Sequence, residues 1–122
     1  TVGTVEEALG IDPSPLGVDV WRDGEVLVRD GGEADILAAL GERNVVVVSP
    51  VGGQGFVLGR GNQQLSPAVL ERSNLEIVAS RQKLRDLGVL RVDTGDESVD
   101  EDLRGWHRVR VGRHERRLME IV

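Results

Sequence analysis

The sequence predicts an α/β domain: a mostly parallel sheet with crossover helices and antiparallel hairpins at its edges. Three observations carry this expectation. Strand-like segments, "NVVVV" at 44–48, "LEIVAS" at 75–80 and "VLRVDTG" at 89–95, alternate with helical ones, the order that builds parallel strands joined by crossovers. The aromatic residues are Trp21, Trp106 and Phe56 alone, so the core must come from Val, Leu, Ile and Ala, which suits strands covered by helices. Asp23-Gly24 sits between two alternating runs, the strongest short-range hairpin signal.

Each element has its own punctuation. In "TVEEALG" Thr4 reads as an N-cap with Glu7 completing a capping box and Gly10 as the stop. The hairpin "LGVDVWRDGEVLVRD" sets Arg22 opposite Glu25, Trp21 opposite Val26 and Val20 opposite Leu27. "EADILAALG" is a short helix closed by Gly41, and "NVVVV" a β-branched strand buried on both faces. Ser66-Pro67 supplies a cap followed by proline at the first helical position. Ser80 and Gly88 bracket the helix in "SRQKLRDLG", and Ser98 with Glu101 forms a second capping box in a helix ending at Gly105. The closing stretch 106–122 folds back about Arg113-His114, pairing Val109 with Leu118, His107 with Glu120 and Arg110 with Arg117. Two facing arginines need an anion or a carboxylate between them. Nothing marks an internal boundary, so 1–122 reads as one domain.

Composition narrows the function. At 122 residues and 39% hydrophobic, the chain is long and apolar enough for a real core. It has no cysteine, which excludes disulfides and thiolate metal sites and fits a cytoplasmic protein. No apolar run approaches the roughly 20 residues of a membrane span. A net charge of −6 argues against a generic nucleic-acid binder. Fourteen arginines stand against the single Lys83, which fits either a GC-rich genome or a salt-adapted source; the second would make folding less cooperative at low salt.

Two loops are placed for chemistry, because ligands of open parallel sheets bind beyond the carboxyl ends of the strands. The first carries Gly52, Gly53, Gln54, Gly55, Gly59, Arg60, Gly61, Asn62, Gln63 and Gln64. Glycines let a ligand approach the main chain, Arg60 can hold a phosphate by two parallel hydrogen bonds, and the amides suit a ribose or a base edge. The spacing matches neither a dinucleotide turn nor a Walker loop, and a long surface excursion with its own turns explains the same residues. The second loop, "DTGDE", offers Asp93, Thr94 and Asp96 to sugar hydroxyls or Mg²⁺, the two loops facing one cleft if their strands are neighbours. No catalytic residue and no zinc site emerge: His107 and His114 lack ligand companions.

"VVVVSPVGGQGFVLGRGNQQLSPAVL", with "LEIVAS" and "LRVDTGD", resembles the C-terminal part of the archaeal ATP-NAD kinase-like proteins, over nearly the whole chain. The most specific run is Gly59-Arg60-Gly61-Asn62-Gln63-Gln64-Leu65-Ser66-Pro67. The resemblance implies phosphoryl transfer from ATP or polyphosphate to NAD. It also implies that the catalytic Gly-Gly-Asp-Gly run lies in an N-terminal domain, since the pairs Gly31-Gly32 and Gly52-Gly53 lead to Glu33 and Gln54. The expectation is therefore the C-terminal portion of a longer kinase-like protein, contributing a nucleotide or phosphate loop. Two alternatives stay open: a non-catalytic sensor of a phosphorylated small molecule, and a homo-oligomeric assembly domain whose hairpins pair between subunits.

Overall fold

Asp23 and Gly24 both take positive φ, 51° and 85°, the hairpin turn whose twist matches its strands. In the computed structural model, which describes residues 2–10, 18–60 and 62–122, this turn joins β1 (Val18–Arg22) to β2 (Glu25–Gly31). Arg22 faces Glu25 and Trp21 faces Val26 as expected, but a register shift moves the partner of Val20 from Leu27 to Val28. Helix α1 (Val2–Ala8) begins before Thr4, which lies inside it and is not its cap. Thr-x-x-Glu is compatible with a helix interior when the residues ahead are themselves helical, and here they are. The Leu16-Gly17 start of the expected hairpin lies outside the described residues.

Helix α2 (Glu33–Ala39) leads to β3 (Val45–Val48), and β4 (Phe56–Leu58), α3 (Pro67–Glu71), β5 (Asn74–Ile77), α4 (Arg81–Leu87) and β6 (Arg91–Val92) come next in the chain. Helix α5 (Glu97–Leu103) precedes the closing hairpin, β7 (Gly105–Arg110) and β8 (Arg116–Ile121). The chain is thus an α/β domain with parallel pairs β3–β5 and β4–β6 and antiparallel pairs β1–β2 and β7–β8. β4 lies within the glycine-rich stretch, where the sequence suggests only a loop.

Single parallel bridges, Val78 to Arg110 and Leu90 to Ile121, connect the ladders. The strand order becomes β3-β5-β7-β8-β6-β4, and the closing hairpin sits between the two parallel pairs, not at an edge. β3, β5 and β7 run one way; β8, β6 and β4 run the other. All six strands feed one core, with Val46, Val57, Ile77, Val92, Val109 and Met119 among its buried residues. Ile36, Val69 and Leu84 bring in α2, α3 and α4. β3 is not buried on both faces as expected: Val46 and Val48 are inside, while Val45 is 66% exposed. Among the described residues its one strand partner is β5, so β3 stands at the sheet's edge without full cover.

The closing hairpin slips by one residue from the expected register. Arg110 faces Arg116, Val109 faces Arg117 and His107 faces Met119. A carboxylate does lie between the paired arginines. Glu76 of β5 accepts from Arg110 Nε at 2.9 Å and from Arg116 Nη1 at 3.3 Å. Helix starts behave unevenly. Ser80 Oγ caps α4 by accepting from Lys83 N, and Gly88 ends it at φ 75°. Asp96, not Ser98, caps α5, its Oδ1 accepting from Ser98 N and Val99 N. A carboxylate just ahead of the first turn reaches two orphan donors, which Ser98 inside the helix cannot.

Candidate functional site

The parallel strands β4 and β6 end side by side, with Leu58 in register with Val92. The segment leaving each strand is held by a local constraint. Gly59 has φ 97°, and a Cβ there would lie 1.7 Å from the Asp93 carbonyl oxygen. No other residue lets the chain leaving β4 touch the chain leaving β6. Asn62 then closes the turn: its Oδ1 accepts from Gly59 N at 2.9 Å and its Nδ2 donates to Val57 O at 2.8 Å.

This turn aims Arg60 across the junction. Its Nε and Nη2 donate to Asp93 Oδ2 at 3.3 and 3.2 Å. The guanidinium carbon lies 4.5 Å from the centroid of the Phe56 ring, a cation-over-ring geometry. The Arg60 and Asp93 side chains are 60% and 50% exposed. Such a pair contributes about 0–1 kcal/mol in water, so an incoming anion can displace it at little cost. Arg91, in register with Phe56, is exposed on the same stretch. Arg60 thus leaves the carboxyl end of β4 and reaches back over the ring of Phe56, which, like Arg91, stands at its strand's start.

The acidic loop divides its labour. The Thr94 backbone N–H and hydroxyl both donate to Asp100 Oδ1, at 3.0 and 2.6 Å. Asp100 is 5% exposed and satisfied by that loop. Asp96 is occupied as the α5 cap, so Asp93 is the carboxylate offered to Arg60. Among the described residues no group of three or more His, Asp or Glu is placed to hold a metal ion.

The glycine-rich stretch is split by β4. Because β4 runs opposite to β3, Gly52, Gly53, Gln54 and Gly55 lie at its amino end, away from Asp93. Gly52 O accepts from Lys83 Nζ at 3.2 Å. Gly55 takes φ 78° where the chain passes close to Val89 O. Gly53 and Gln54 line an open groove of about 420 Å³ with Phe56, Leu87, Val89 and Arg91. Gln63 is exposed and Gln64 half-buried beyond the turn, and Gly61 lies outside the described residues. So the structure brings together Gly59, Arg60, Asn62 and Asp93, with Thr94 and Asp96 bracing the second loop. It adds Phe56, Arg91 and Asp100. Phe56 had one readable signal: it is the chain's sole phenylalanine, set in the middle of a polar, glycine-rich run.

Residues 2–121 match the family model described as the ATP-NAD kinase C-terminal domain, and the chain belongs to that family. It is an NAD kinase-type C-terminal domain, as the run from Gly59 to Pro67 led one to expect. No curated protein and no solved structure matches the chain. Among the described residues no helix is long and apolar enough to cross a membrane.

Proposed function

We propose that this domain supplies a phosphate- and nucleotide-binding surface for phosphoryl transfer from ATP or polyphosphate to NAD, with Arg60 as its anchor. The observation that carries the proposal is the position of Arg60: over Phe56, beside Asp93, at the carboxyl ends of two parallel strands. Phosphoryl transfer relies on positioning and charge neutralisation more than on covalent chemistry. A guanidinium with two donors on one face meets that need, since it can exchange the Asp93 oxygen for a phosphate oxygen. Phe56 offers a flat apolar face for a base or nicotinamide, and exposed Arg91, in register with it, a second positive charge. Asp93, once released, is an acceptor of the right kind for a ribose hydroxyl. The residues that carry out the transfer belong, on this reading, to the N-terminal part of such an enzyme.

Titration calorimetry with ATP and with NAD separately tests the anchor. Arg60→Ala is expected to weaken binding by about 1.5–3 kcal/mol, the range of a charged hydrogen bond, and Arg60→Lys to recover part of it. Equal affinity in parent and Arg60→Ala removes Arg60 from the site. The second reading is a sensor that binds without turnover. It is favoured if another phosphorylated metabolite binds more tightly than both ATP and NAD.

A further inference from the structure

Between the β1–β2 hairpin and α2 lies an open groove of about 650 Å³. Its hairpin wall departs from ordinary strand alternation. Leu27, Val28 and Arg29 all line it, although successive strand side chains point to opposite faces. The ladder explains this: Val28 pairs with Val20 and Val26 with Trp21, so Leu27 is the extra residue of a bulge. Bulges re-aim side chains and are frequent beside active sites. This one turns Leu27, 43% exposed, into the groove and not into the core.

Helix α2 supplies the other wall. Asp35, Ala38 and Ala39 are three and four residues apart and share one helix face, and Leu40 follows at the helix end. Arg22 closes one end: its Nη2 donates to Ala39 O at 2.6 Å, and a Cβ on Gly41 would stand 3.3 Å from the same nitrogen. A guanidinium has five N–H donors, so most of those on Arg22 stay open. Arg29 makes no hydrogen bond or ion pair among the described residues. The Glu6 carboxyl attracts it, but burial and Asp19 push that group up to about 7, and below that it holds its proton. Asp35 Oδ2 accepts from Gly32 N at 3.2 Å. Two cations against one carboxylate leave a single positive charge in this groove, in a chain whose net charge is −6.

We propose that the groove is a further binding site, for a small organic monoanion with one carboxylate on an apolar body. Arg29 holds the carboxylate by parallel N–H···O bonds, with open donors of Arg22 in the same groove. Leu27, Val28 and Leu40 cover the apolar body. The volume falls within the range of small-molecule pockets, about 300–1,000 Å³. Charge decides against the phosphorylated ligands proposed for Arg60. A phosphate monoester carries about −1.5 to −2 at neutral pH, which exceeds the single positive charge and meets Asp35; one carboxylate balances it. The groove shares no lining residue with the β4–β6 junction, so the assignment stands apart from the proposed phosphate site.

Amide NMR of the labelled chain, titrated with octanoate, tests this, with octyl phosphate and octylammonium as comparisons. Octanoate is expected to give saturable shifts within 27–29 and 35–40. Octyl phosphate should bind several-fold more weakly, and octylammonium should leave these amides unmoved. Arg29→Gln should raise the octanoate dissociation constant about tenfold or more, the scale of a charged hydrogen bond. Ala38→Leu fills the groove from an exposed helix position and should abolish the saturable shifts. Circular dichroism checks that both variants fold. Saturating ATP should leave octanoate binding unchanged, and because the two ligands move different amides, failure of one site is told apart from failure of the other. The proposal is overturned if octanoate does not saturate, or if either variant binds it like the parent. It is equally overturned if octyl phosphate or octylammonium binds as tightly, or if ATP displaces octanoate.

Discussion

Gly59 is where one missing carbon decides the geometry of the site. Its φ of 97° and the contact with Asp93 O leave no room for a Cβ. Gly59→Ala is expected to cost about 3 kcal/mol or more, because strained backbone and a steric clash add. Chemical denaturation measures it, and an unchanged midpoint would mean the two strand ends are free to part. The sequence showed that 52–64 must have a reason for so much glycine and amide. It could not show which reason applied at which residue, because a turn and a ligand call on the same donors and acceptors. Asn62 spends its amide on the Gly59 and Val57 main chain, whereas Arg60 keeps its guanidinium at the surface. Only three-dimensional neighbours separate those roles.

Elements were legible wherever a local signal was strong. Asp23-Gly24, Ser66-Pro67 and the Ser80–Gly88 bracket all mark real boundaries. Capping boxes were less reliable, since Asp96 starts the helix two residues earlier than Ser98 and takes the first-turn N–H groups of Ser98 and Val99. Glu76 shows how a long-range carboxylate resolves a local conflict: Glu76→Ala leaves Arg110 beside Arg116 and is expected to destabilise by about 1 kcal/mol, measured by thermal melting. An unchanged melt would mean that solvent screens the arginines unaided.

Helix α1 carries a pH dependence of its own. The Glu6 carboxyl is pushed up from 4.5 to about 7, first by burial and then by the hydrogen bond and charge of Asp19, with Arg29 pulling back. The folded chain thus holds this proton more tightly than the unfolded one. The stabilisation is complete below about pH 4.5 and is lost as pH rises through about 7, with an amplitude reduced by solvent screening. Melting temperatures of parent and Glu6→Gln should diverge as pH rises from about 4.5 to about 7, the parent losing more. Parallel curves would show that Glu6 titrates normally.

For the molecule as a whole, class and family were readable and strand order was not. Order depends on which strands meet across long stretches of chain, and β6 is only Arg91–Val92, too short to announce its partner. The consequence for function is large. Placing the closing hairpin centrally reverses β4 relative to β3, which parts Gly52–Gly55 from Asp93 and leaves Arg60 with Phe56 and Asp93. Backbone amide NMR of the labelled domain, titrated with ATP and then with NAD, maps that division directly. Saturable shifts should gather at Phe56, Gly59, Arg60, Arg91 and Asp93. Shifts confined to 52–54 or to the hairpin faces, or none at all, would contradict a phosphate site at the β4–β6 junction.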